Sequence, residues 1–210
     1  MSLSGKTGKI IALFISSVLH PLFIPLLAVL LYFHLTPRYF LPQNIRFPVI
    51  YLSIVSVLIP LLFFAVMYYS KAFSKPLDSP RQRFFLSAIM SVVYLIIFLK
   101  IIQYHQYLEL YPFFFGILLA IAFMSLYNYF GQKPSIHAMA MGGVTGFFMI
   151  WSYYSHLNIL PYLSLLILVT AVVIASRLYL GAHNFKEILK GLFIGILTQV
   201  AGFYFALAFF

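Results

Sequence analysis

Seven apolar stretches, residues 10–33, 48–69, 84–102, 110–131, 138–154, 158–176 and 184–209, take up most of the 210-residue chain. No water reaches the hydrocarbon core of a bilayer, so a chain crossing it must satisfy its own backbone hydrogen bonds. Separate runs of this length do so as helices. Only 8% of residues are charged, where a soluble domain carries about 25%. The expected fold class is therefore all-α, a polytopic transmembrane helical bundle of six to seven membrane helices, formed by one domain over residues 1–210. The fifth and sixth stretches are short, which fits either little tilt or a partly sunken hairpin, and neither choice alters the parity of the others. The first run continues to Phe33 without a small-residue cleavage site, so a retained span is expected there.

The chain has no cysteine, which leaves no disulfide or thiolate metal site to consider. Its net charge is +10, with Asp78, Glu109 and Glu187 as the three acidic residues. The cations are scattered singly between apolar runs, so anionic lipid headgroups fit them better than a nucleic acid does.

Parity places the polar residues. The stretches at 71–83, 132–137 and 177–183 each follow an even number of expected spans, so all three emerge on one face. That face carries Lys75, Arg81, Arg83, Ser135, His137, Arg177, His183 and Glu187. Glycines 142, 143 and 146 on the fifth stretch, and 191 and 195 on the last, permit close helix contact that would bring His137 near His183. If a helix starts near His183, Glu187 lies one turn on, where it can accept an imidazole N–H and fix the tautomer. His20, beside Pro21 in the first stretch, reads as a packed, hydrogen-bonded side chain, and Pro21 and Pro25 as a kink.

Several cations with a hydroxyl, two histidines and one carboxylate suit a phosphate ester. Arginine presents a planar fork that matches two phosphate oxygens, and the start of a helix adds backbone N–H donors at its positive end. One imidazole can attack phosphorus while the other protonates the leaving alkoxide.

Two motifs carry a family resemblance: Pro134-Ser135-Ile136-His137, and Ser176-Arg177, five residues, His183, three residues, Glu187. They resemble the second and third motifs of the type 2 phosphatidic acid phosphatases, the membrane branch of a superfamily shared with the vanadium haloperoxidases. The family patterns are Pro-Ser-Gly-His and Ser-Arg-x5-His-x3-Asp, so Ile136 replaces a glycine and Glu187 an aspartate. The first family motif, Lys-x6-Arg-Pro, is degenerate. Lys75 lies eight residues before Arg83 and six before Arg81, and Phe84 stands where proline would.

The resemblance implies a role for each matching residue. His183 would be the nucleophile, Glu187 its orienting carboxylate and His137 the general acid. Ser135, Arg177 and Lys75 with Arg83 or Arg81 would hold the phosphate, without metal or cofactor. The implied partner is a phospholipid or polyprenyl phosphate in the bilayer, and the composition fits a bacterial inner-membrane protein. The alternative is a catalytically inactive phospholipid-binding or lipid-translocating protein of the same fold. A small ion transporter fits less well, since His34, His105 and His156 lie apart from the converging face. Ten Lys and Arg residues fall on the site face against three opposite. That favours a cytoplasmic site by the positive-inside rule, whereas the bacterial family implies an outward one, and the sequence leaves the side open.

Overall fold

The computed structural model describes residues 3–69, 80–101 and 107–209, and every regular element among them is helical. In chain order these are α1 (Leu3–Val18), α2 (Ile24–Leu35), α3 (Pro42–Tyr69), α4 (Pro80–Ile96, continued by a π turn through Ile97–Ile101), α5 (Leu110–Tyr129), α6 (Ile136–Ser155), α7 (Leu160–Tyr179) and α8 (Phe185–Phe209).

Proline sets several of these boundaries. The first apolar stretch does not run through as one helix. A residue before proline avoids the helical conformation, and His20 precedes Pro21, so α1 stops at Val18. Pro25 then stands in the first turn of α2, where its missing N–H costs nothing. The expected kink is therefore a full break. In α3, Pro60 cannot donate to the carbonyl four residues back and its ring crowds that group. The helix widens into a π turn over Ser53–Leu58 just before it, with the Ile59 N–H bonded five residues back to Ile54.

The core centres on α6. Phe147, Phe148 and Trp151 are fully buried, and the Phe147 ring packs on Phe113 of α5 with centroids 4.7 Å apart. The most extensive helix pair is α6 with α8. Its closeness depends on the predicted glycines. A Cβ on Gly142 would stand 2.6 Å from the Leu192 carbonyl oxygen, and Cβ atoms on Gly191 and Gly195 would run into the carbonyls of Ser135 and Met139.

Among the described residues, five helices are long and apolar enough to cross a membrane: Pro42–Tyr69, Gln82–Lys100, Leu110–Tyr129, Leu160–Tyr179 and Phe185–Ala206. The chain is thus an integral membrane bundle by length and composition. Two of the expected spans are not among these five, each for a physical reason. The break at Pro21 leaves α2 only 12 residues long. The helix α6 faces other helices on most of its surface, so it carries Gly, Thr and Ser where a lipid-facing span would carry Leu.

The two ends of the bundle have different chemistry. At one end the Tyr32 hydroxyl donates to Glu109 (2.7 Å) and Arg38 pairs with the same carboxylate (2.8 Å). The other end gathers the starts of α4, α6 and α8 with the end of α7. The helix α1 lies against that second end, with Gly8 on Tyr179 and the Ser16 carbonyl on His137.

Candidate active site

Three local structures present Arg177, His183, Glu187 and His137. The helix α7 ends in a left-handed residue, Gly181 (φ 63°), whose N–H returns to Leu178 while the Ala182 N–H returns to Arg177. Glycine takes that conformation without a Cβ penalty. The turn sets Arg177 on the last helical turn and His183 just beyond it.

The helix α8 opens with a reciprocal cap. Asn184 Oδ1 accepts from the Glu187 N–H (2.9 Å), and Glu187 Oε2 accepts from the Asn184 N–H (3.3 Å). Each side chain satisfies a backbone donor that the helix leaves unpaired. The same Glu187 oxygen accepts from His183 Nδ1–H at 2.9 Å, which leaves Nε2 of His183 with the lone pair that can attack an electrophile.

The third structure is the start of α6. Ser135 Oγ accepts from the Ala138 N–H (3.4 Å) and caps the helix, and the Ser135 N–H donates to the Glu187 carbonyl oxygen at 3.0 Å. His137, two residues on, donates through Nε2–H to the Ser16 carbonyl oxygen at 3.2 Å.

These elements surround one cavity of about 610 Å³. Its polar mouth carries Arg83, His137, Arg177 and His183, joined by His20. The rest of its lining is mainly apolar, with Leu61 and Phe64 of α3, Met90 and Tyr94 of α4, Phe113 of α5 and Val144 of α6, and includes the polar side chains of Ser87, Thr198 and Gln199. Ile136 also lines it. The volume falls within the roughly 300–1,000 Å³ of pockets that enclose small ligands. Arg177 Nε is buried and has no hydrogen-bond partner among the described residues. A buried charged donor left unpaired is costly, so an anion in the cavity would relieve that cost.

Burial lowers the pKa of His183 below its ordinary value; the Glu187 hydrogen bond and charge raise it, while Arg177 and Arg83 lower it. The net direction is down, so near neutral pH the ring is the uncharged form that carries a nucleophilic lone pair.

The geometry thus brings together Arg83, His137, Arg177, His183 and Glu187. Ser135 differs from the expectation in placement: it is fully buried, serves as the helix cap and does not line the cavity. Lys75 lies outside the described residues, as does the side chain of Arg81. Sequence reasoning missed Asn184, whose spacing to Glu187 is a capping signature; His20, read as a packed and hydrogen-bonded side chain, does accept from the Leu22 N–H and pack on His137, and it also lines the cavity.

A model of the PAP2 superfamily matches residues 84–209, more than half of the chain. The protein belongs to the PAP2 superfamily. No curated protein and no solved structure matches it. The family assignment agrees with the resemblance of the second and third motifs to the type 2 phosphatidic acid phosphatases, and PAP2 proteins are in general phosphoric-ester hydrolases. The PAP2 match begins one residue after Arg83 and contains His137, Arg177, His183 and Glu187. The segment from α1 through α3 lies outside it and still supplies part of the PAP2 cavity's lining, through His20 in the break between α1 and α2 and Leu61 and Phe64 of α3.

Proposed function

We propose that this protein is a membrane lipid phosphatase that removes a phosphomonoester or pyrophosphate from a phosphatidate, phosphatidylglycerophosphate, polyprenyl or lipid A type substrate, without metal. The observation that carries the reading is His183 bonded through Nδ1 to Glu187 beside a mainly apolar cavity that also holds Arg177 and His137. Such a cavity suits a phosphate at its rim with a chain or glycerol inside. In this reading α2 and α6 cross the bilayer with the five long apolar helices, α2 running from the His20 end to the Glu109 end.

The mechanism follows from the donor set. Arg177 and Arg83 neutralise the phosphoryl oxygens, and Lys75 and Arg81 are further candidates from the preceding segment. Ser135 contributes by fixing the first turn of α6. His183 Nε2 attacks phosphorus: a P–N bond forms, the bond to the leaving oxygen breaks, and the departing alkoxide takes a proton from Nδ1 of His137 in its imidazolium form, since the Nε2–H of that ring is held by the Ser16 carbonyl oxygen. Water then cleaves the phospho-histidine. Preformed orientation and a placed acid are each worth large factors, about 10² to 10⁴ for the acid.

The test is phosphate release by purified protein from a panel of lipid phosphates with chelator present, beside His183→Ala. Turnover by the wild type and none by the variant is the expected result. Equal turnover by both would remove His183 from the mechanism. One observation favours a second reading: Ile136 lines the cavity where the family pattern has glycine, and a β-branched side chain there would narrow the approach to phosphate. A binding protein of this kind would hold vanadate yet form no phospho-enzyme with labelled substrate.

A further inference from the structure

The break between α1 and α2 puts a third imidazole into the site. His20 lies on neither helix and, although outside the family match, lines the same cavity as Arg83, His137, Arg177 and His183. Its ring stands edge-to-face on the His137 ring, with centroids 5.5 Å apart and planes at 84°. The Leu22 N–H points at His20 Nδ1 from 3.3 Å. An N–H can only donate, so Nδ1 keeps its lone pair and the ring proton sits on Nε2. His20 as a residue is solvent-accessible.

Resting on the phosphatase reading, we infer that His20 is a further phosphate-binding residue, whose neutral Nε2–H donates to a phosphoryl oxygen held by Arg177. The neutral donor needs no protonation step and complements the two arginines in the mouth. The neighbouring His137 has its Nε2 engaged by Ser16, whereas no hydrogen bond among the described residues engages Nε2 of His20, which lines the same cavity. Segments outside the matched region thereby complete the anion site, and α1, through Ser16, and the turn after it both act on this mouth.

The rival role for His20 is structural: its Nδ1 ties down the turn by accepting from Leu22. Two substitutions separate them. In His20→Asn the side-chain oxygen can replace Nδ1 as acceptor but nothing replaces Nε2–H. In His20→Gln the amide nitrogen reaches the place of Nε2 and the Nδ1 acceptor is lost. Full-length protein in detergent is assayed for vanadate affinity and for kcat/KM on phosphatidate, with the apparent Tm of each variant recorded. A hydrogen bond to a charged group is worth about 1.5–3 kcal/mol, roughly 10- to 100-fold in binding. The expected result is a loss of that size in vanadate affinity and kcat/KM for His20→Asn, with His20→Gln within about three-fold of wild type. Wild-type behaviour in both variants, an equal loss in both, or the reverse order would overturn the inference. Vanadate affinity is read without turnover, so inactivity of the wild type on every lipid phosphate counts against the phosphatase reading while the vanadate comparison still decides His20.

Discussion

The backbone N–H of Ser135 donates to the carbonyl oxygen of Glu187 at 3.0 Å, joining two motifs that lie far apart in sequence. The bond is possible because α6 and α8 touch backbone to backbone below it, at Gly191 against Ser135 and Gly195 against Met139. Site geometry is thus inherited from helix packing, and a change several residues away from the chemistry should be felt there.

Gly195→Ala tests that inheritance. A methyl group at 195 would strike the Met139 carbonyl, which is backbone and cannot move aside without shifting α6. Overpacking of this kind costs about 1–3 kcal/mol, so the apparent Tm in detergent should fall by several degrees and phosphatase activity should fall with it. Unchanged Tm and activity would show that the two helices have slack.

Glu187 carries two duties, as the capping residue of α8 and as the acceptor from His183. Aspartate, the family's residue, is one methylene shorter, and misplacement of about 1 Å can cost on the order of 100-fold. Glu187→Asp should therefore lower kcat/KM by roughly 10- to 100-fold, despite restoring the family residue, and should also weaken the start of α8. Rates equal to or above wild type would mean that the helix start readjusts to the shorter side chain.

The pH profile gives opposite signs for two neighbours. The acid limb of kcat/KM reports the free enzyme, and His183 must be neutral to attack. Burial lowers its pKa, Glu187 raises it, and Arg177 and Arg83 lower it. The wild-type limb should therefore lie below the ordinary imidazole midpoint. Glu187→Gln removes a raising influence and should move the limb to lower pH, with a large fall in rate. Arg83→Gln removes a lowering influence and should move it to higher pH. Shifts in the same direction would mean that the limb belongs to another group.

Much of this was legible in the sequence because the informative features are local. The spacing of His183 and Glu187 is one helical turn, and the small residues of α6 and α8 announce a close pair. Parity placed the starts of α4, α6 and α8 with the end of α7 at one end of the bundle, where the structure has them. What was hidden depends on tertiary context. The run 10–33 is apolar throughout, so hydropathy does not distinguish a kink at Pro21 from the break that releases His20 into the cavity. Ser135 sits in a phosphate-motif pattern, yet the N–H groups at the start of α6 take its hydroxyl as their cap. The helix α6 itself reads as weakly apolar because its surroundings are protein.

Arg177 supplies the sharpest test of the anion site. Its Nε is buried without a partner among the described residues, an arrangement that is unfavourable in the empty protein and is relieved when an anion accepts from it. Lysine keeps the charge and loses the planar fork, with one ammonium in place of five directed N–H groups. Arg177→Lys should therefore fold, with an apparent Tm at or above wild type because the unpaired buried donor is gone. Its vanadate affinity and kcat/KM should drop by about 100-fold, the scale of one lost charge-assisted hydrogen bond. If lysine supports full activity, simple charge neutralisation is enough and the directed fork has no part in holding the phosphate. A fall in Tm together with retained vanadate affinity would instead assign Arg177 to holding the end of α7 in place, and the phosphate would have to be held by Arg83 and the imidazoles.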